Sequence, residues 1–248
     1  MNIRLIVKLD AKPPHIVKPI CFEGLKIVGT PIQLANKYYK NGADEIVYVD
    51  IVSSLYQRDI QLKEIKDVAN QLFIPLCVGG GVKTIEDFSK LFHSGADKVA
   101  INTHAILENP NIINKAAETF GKQAVVVNIE AKKWDNWYEC YTDGGKIGSG
   151  KDVISWAKEA EDRGAGEILL QSVDLDGLQK GFDLELAKEV VESVNIPVVI
   201  SSGAGNLKDI KELIEYANPS GVAISSMLHY DKYTITQIKD FLTKEDIT

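Results

Sequence analysis

IRLIVKLDAK, residues 3–12, and AVVVNIEAKK, residues 124–133, are two copies of one pattern. In each, an apolar β-type run leads into a carboxylate, Asp10 in the first copy and Glu130 in the second. Runs of this kind, bounded by turn residues, predict buried strands. Three further pairs recur. GADEI at 42–46 returns as GAGEI at 164–168, IPLCVGGG at 74–81 as IPVVISSG at 196–203, and VAINT at 99–103 as VAISS at 222–226. All four separations lie between 120 and 123 residues. One unit therefore occurs twice, as halves of about 1–122 and 123–248, and the paired carboxylates are expected to face each other across one pocket.

Between the repeated strands lie helical patterns. PIQLANKYYK opens on Pro31, which suits a first helical turn, and Gly42 ends it. TIEDFSKLFHSG carries Thr84 as a cap, acids in its first turn and Gly95 at its end. Eight apolar strands alternate with eight helices along the chain. Strands apolar on both faces belong to parallel sheets. Eight such units in 248 residues predict a single-domain (β/α)₈ barrel made of two half-barrels. Pro13, Pro14 and Pro19 exclude a helix from residues 12–30, which read as a long functional loop. WDNWYECYTDGGKIGSG, residues 134–150, alternates like a hairpin insert.

Composition narrows the function. A net charge of −7 gives no reason to expect nucleic acid or an anionic membrane as partner. No apolar run approaches the length of a membrane helix, no signal peptide is evident, and three scattered cysteines read as reduced thiols, so the expected address is the cytoplasm. No dinucleotide-binding glycine motif and no metal-ligand spacing are evident, so neither cofactor nor metal is expected.

In a barrel of this class the reactive residues lie at the carboxyl ends of the strands. Those ends carry Asp10, Asp50, Gly79-Gly80-Gly81, Asn102-Thr103, Glu130, Asp174 with Asp176, Ser201 to Gly205, and Ser225. Glycines ahead of a helix let backbone amides approach an anion. Gly80 and Gly81 with Asn102 and Thr103 form one expected phosphate seat, and Ser201 and Gly203 with Ser225 form its repeat. Tight strand-to-helix turns are the plainer explanation of one such loop, but not of a duplicated pair with polar neighbours. A small molecule phosphorylated at both ends is the expected substrate. Asp10 and Glu130, between the seats, are the expected acid–base pair. Asp176 is a third candidate, although Asp-Gly often only makes a turn.

LDAK at 9–12, VGGGV at 78–82, ADKVAINT at 96–103, FGKQAVVVNI at 120–129, RGAGEILL at 163–170, VDLDG at 173–177, GFD at 181–183 and SGAG at 202–205 together resemble the HisF family over the whole chain. HisF proteins are the cyclase subunits of imidazole glycerol phosphate synthase, in histidine biosynthesis. The resemblance implies ammonia taken from a HisH-like glutaminase docked at the amino-terminal face. It also implies a doubly phosphorylated ribulosyl-formimino aminoimidazole carboxamide ribonucleotide as substrate. By position, Asp10 matches the catalytic aspartate and Lys18 a loop lysine that serves the substrate. Gly81, Asn102 and Thr103 match one phosphate site, and Gly203 and Ser225 the other. Arg4, Glu45, Lys98 and Glu167, near strand starts, match a charged ring resembling an ammonia gate.

Three departures sit at the mouth. Glu130 stands where the family has aspartate, Pro13-Pro14-His15 and Pro19 replace glycine-bearing turns, and Ser202 replaces a glycine. They also look like HisF-like paralogues that pass ammonia to a partner enzyme for acetamidino modification of a bacterial surface sugar. A HisA-like phosphoribosyl isomerase, built on the same half-barrel plan, is the third alternative.

Overall fold

The computed structural model describes residues 3–56 and 60–247. Eight parallel strands alternate with helices and close on themselves: β1 (Arg4–Lys12), β4 (Glu45–Asp50), β5 (Leu76–Gly79), β6 (Lys98–Ile101), β7 (Val125–Lys133), β10 (Glu167–Ser172), β11 (Val198–Ser201) and β12 (Gly221–Ile224). Closure is made by β12 on β1 and by β7 on β10. This is the expected (β/α)₈ barrel.

The helices start and stop where local chemistry dictates. α1 (Pro31–Lys40) begins on its proline, and the helices α2 (Ser53–Tyr56) and α3 (Leu62–Ala69) follow β4. Thr84 makes a reciprocal capping box with Asp87 at the start of α4 (Ile85–His93). α5 (Thr103–Leu107) and α6 (Asn111–Phe120) follow β6, α7 (Val153–Asp162) precedes β10, and α8 (Leu184–Ser193) precedes β11. α9 (Leu207–Ala217) carries a capping box from Asn206, and α10 (Ser226–His229) and α11 (Ile235–Lys244) complete the chain.

Residues 12–30 differ from the expected loop. They form an antiparallel hairpin, β2 (His15–Ile20) and β3 (Glu23–Gly29), with β2 paired to the end of β1. Proline excludes a helix but not a hairpin: Pro13 and Pro14 lie in the turn between β1 and β2, and Pro19 lies at the register shift between Lys18 and Ile20, where the ladder is interrupted. The expected second insert is β8 (Tyr138–Thr142) and β9 (Ile147–Asp152), paired to the end of β7. Each half of the chain thus carries a hairpin after its first barrel strand and a short helix, α5 or α10, after its fourth.

Alternation along the strands sorts the residues into two cores. Leu5, Val7 and Leu9 point outward into the large core beneath the helices. Ile6, Val47, Cys77, Ala100, Val126, Leu169, Val199 and Ala223 point inward and fill one apolar layer of the lumen. Arg4, Ile6, Lys8 and Asp10 therefore share the inner face of β1, with charged residues below and above that layer.

Candidate active site

Asp50, Gly80, Gly81, Asn102, Thr103 and Glu130 line one cavity of about 220 Å³ at the carboxyl end of the barrel. Gly80 has φ +105°, and a Cβ there would lie 2.3 Å from the Asp50 carbonyl oxygen. Only glycine lets β5 turn this tightly into the approach to α4. Gly80→Ala is expected to lower the melting temperature and to weaken binding of inorganic phosphate at least tenfold; backbone strain of this kind costs roughly 1–3 kcal/mol. Calorimetric titration checks it, and unchanged affinity would remove Gly80 from the seat.

Half a barrel away, Lys18, Asp176, Ser201, Ser202, Gly203 and Ser225 line a much smaller cavity of about 20 Å³. Gly203, at φ +109°, repeats the constraint, since a Cβ would meet the Gly181 carbonyl oxygen at 2.1 Å. Ser202 occupies the left-handed region at φ +78°, and its hydroxyl lies 3.4 Å from Asp176 Oδ1. Lys18 reaches in from β2 and donates to Asp176 Oδ1 and Oδ2 at 2.9 and 3.1 Å. The first hairpin is folded down on this side: the Cys21 amide donates to the Asp176 carbonyl at 2.7 Å.

The two carboxylates are placed differently from the expected single pocket. Glu130 opens into the larger cavity, whereas Asp10 lines neither cavity and is only 1% exposed. One Asp10 oxygen accepts from Lys8 Nζ and the other from Lys18 Nζ at 3.3 Å. Lys18 thus lies between Asp10 and the mouth. The neighbour Lys12 takes no part, and Lys132 pairs with Asp174 instead.

Their electrostatics diverge. Burial pushes the Asp10 carboxyl up, but Lys8 and Lys18 overcome it and hold the group down at about 2. Burial also pushes Glu130 up, and here the opposing groups are weaker: the Gly145 amide, Lys8 and Asn102 leave it at about 7. The Gly145 amide donates to Glu130 Oε2 at 2.7 Å from the turn of the second hairpin. Asp10 is a fixed anion, and Glu130 can carry a proton at neutral pH. Carboxyls pushed apart in this way are suited to separate acid and base roles.

A test follows from linkage. Between about pH 4.5 and 7 the folded chain keeps a proton on Glu130 that the unfolded chain releases, so stability falls as pH rises through that window. Glu130→Gln keeps the shape of the protonated group and is expected to reduce the loss between pH 5 and pH 8 by about 2–3 kcal/mol. Denaturant unfolding at the two pH values measures it. Asp10 contributes in the opposite sense: its stabilisation is present above about 4 and lost as pH falls through 2.

Lys8, Asn128 and Gln171 were not among the expected site residues. Gln171 Nε2 donates to Asn128 Oδ1 at 2.6 Å, and Asn128 lines the larger cavity. All three lie on inner faces of strands, so the alternation that marks Asp10 and Glu130 would have found them.

At the opposite end, Arg4, Glu45, Lys98 and Glu167 close a ring of alternating charge. Arg4 donates to Glu45 at 2.9 Å and to Glu167 at 2.7 Å, and Lys98 lies 2.9–3.2 Å from both carboxylates. Glu45 is 2% exposed, and burial pushes its carboxyl up against the pull of Lys98 and Arg4. Among the described residues, no helix is long and apolar enough to cross a membrane and no cluster of side chains could hold a metal ion.

Fold and site together define a class: a duplicated (β/α)₈ barrel with opposed carboxylates at its mouth and an ion-paired ring closing its base. Comparison with known proteins narrows it. The histidine biosynthesis protein family matches residues 4–234. An imidazole glycerol phosphate synthase subunit HisF of Clostridium botulinum is 45% identical over 98% of this chain and 96% of its own. The proteins of the same description from Campylobacter concisus and Methanopyrus kandleri are 45% and 40% identical over 96% and 98% of this chain, and 94% and 96% of their own. The chain belongs to the histidine biosynthesis protein family, within its HisF branch.

Proposed function

We propose that this chain is the synthase subunit of a glutamine-dependent amidotransferase. It takes ammonia from a HisH-like glutaminase and a doubly phosphorylated ribulosyl-formimino aminoimidazole carboxamide ribonucleotide, and yields imidazole glycerol phosphate and aminoimidazole carboxamide ribonucleotide. The observation that carries this reading is the placement of the carboxylates, with Asp10 clamped between Lys8 and Lys18 and Glu130 open to the larger cavity. Asp50, Gly80, Gly81, Asn102 and Thr103 hold one phosphate; Ser201, Gly203 and Ser225, with Lys18, hold the other. Asp176 orients Lys18. Phosphate oxygens and backbone amides at strand ends make the complementary pairing.

The glutaminase docks at the amino-terminal face, where Arg4, Glu45, Lys98 and Glu167 gate ammonia into the apolar lumen. The three free cysteines suit a cytoplasmic protein.

A second reading is favoured by one observation: the second cavity, lined by the paired Lys18 and Asp176, is only about 20 Å³. In that reading the chain conducts ammonia to a partner enzyme that amidates a surface sugar, and forms no imidazole. Incubating the pure chain with the ribulosyl substrate and an ammonium salt separates them. Imidazole glycerol phosphate is the expected product; its absence would discard the synthase reading.

A further inference from the structure

Lys8 is a lysine in the middle of a barrel, and the proposed function gives it no part of its own beside Lys18. It is 3% exposed and shares the inner face of β1 with Asp10, directly above the apolar layer of the lumen. Its ammonium donates to Asp10 Oδ1, and its backbone carbonyl accepts from the Ser225 hydroxyl at 2.8 Å. One residue therefore touches the second seat through its backbone and the acid–base pair through its side chain. An uncompensated lysine at this depth would be expensive, so its pairing with Asp10 is obligatory rather than incidental.

We propose that Lys8 is the positioning residue of the acid–base pair: from inside the barrel it holds Asp10 in place and supplies its counter-charge independently of Lys18. The two lysines on Asp10 differ in origin. Lys18 belongs to β2, and any outward movement of the hairpin to admit substrate takes its charge away. Lys8 belongs to a barrel strand and stays.

The other charged or titratable groups near Asp10 do not replace it. Asp176 is a second anion beyond Lys18. His229, on α10, is held neutral by burial, with its pKa lowered to about 4, and its Nδ1 is engaged by the Tyr38 hydroxyl at 2.7 Å. Glu130 comes from the far wall and is itself subject to the Lys8 charge. Around Glu130 the remaining partners, the Gly145 amide and Asn102, are uncharged.

This inference rests on the reading of Asp10 and Glu130 as an acid–base pair, and a titration without substrate separates its failure from the failure of that reading. Carboxyl-carbon NMR of the full chain would follow both groups. In Lys8→Gln, which keeps the stem and a hydrogen-bond donor but loses the charge, Asp10 is expected to titrate roughly 1–3 pH units higher, and Glu130 to move up as well. Lys8→Arg is expected to hold both near the wild-type positions. A folded Lys8→Gln protein with both titrations unmoved would overturn the proposal. Should that variant not fold, the wild-type titration decides it: Asp10 must titrate below pH 3 and Glu130 near 7, and joint titration in the usual carboxylate range would overturn it.

Discussion

Lys98→Met is expected to cost about 3–5 kcal/mol of stability and to uncouple glutamine hydrolysis from synthesis. Lys98 is the cation shared by two carboxylates, Glu45 and Glu167, which are 2% and 7% exposed. Without it, Arg4 alone faces both. Breaking one member of a buried charged set strands the others, and that is costlier than removing an exposed pair. For a chain of this length each kcal/mol is worth roughly 2–4 °C, so the melting temperature should fall by about 10 °C. The functional signature is a ratio. With a HisH-like glutaminase added, glutamine-driven synthesis should fall at least tenfold relative to synthesis driven by an ammonium salt, because in the proposed reading only the former uses the amino-terminal entrance. Equal falls in the two rates would make the ring a purely structural closure of the barrel.

Asp10→Asn is expected to lower turnover with ammonium salt by roughly 10³-fold, within the range typical for loss of a general acid or base. Asparagine keeps the shape and one acceptor but cannot take a proton. The substitution also carries a stability cost, because Lys8 loses its counter-charge while Lys18 keeps Asp176. That cost should be about 3 kcal/mol. Steady-state kinetics at a temperature well below the variant's melting transition isolates the chemical effect. Turnover within tenfold of wild type would take Asp10 out of the reaction.

The barrel was legible because duplication is a global signal. Four segments recurring 120 to 123 residues apart leave few topologies that place them equivalently, and the same repeat pairs Asp10 with Glu130. The hairpin at residues 15–29 was legible only in part. Its prolines speak against a helix, but they say nothing against a strand in which they fall at the turn and at a register shift. The second hairpin, at the equivalent place in the other half, was the better guide.

Lys8 was missed for a different reason. A single charge in an apolar run looks like an outlier until the strand's alternation is written out, when it falls on the same face as Arg4 and Asp10. The divergence between Asp10 and Glu130 could not be read at all. It depends on two lysines converging on one carboxylate and on the Gly145 amide capping the other, contacts between residues up to 15 apart in sequence and across different elements. The ring of Arg4, Glu45, Lys98 and Glu167 was named from family resemblance, and its closure is a property of strand register rather than of any local motif.

In the proposed function two phosphate seats hold one substrate across the mouth, between Asp10 and Glu130. A crystal structure of the chain with the doubly phosphorylated ribulosyl ribonucleotide tests it most directly. One phosphate should lie within hydrogen-bond reach of Gly80, Gly81 and Thr103, and the other beside Gly203 and Ser225, with Lys18 moved off Asp10 to admit the ligand. A ligand bound with either phosphate outside these seats, or with its reacting carbons away from both carboxylates, would contradict that placement.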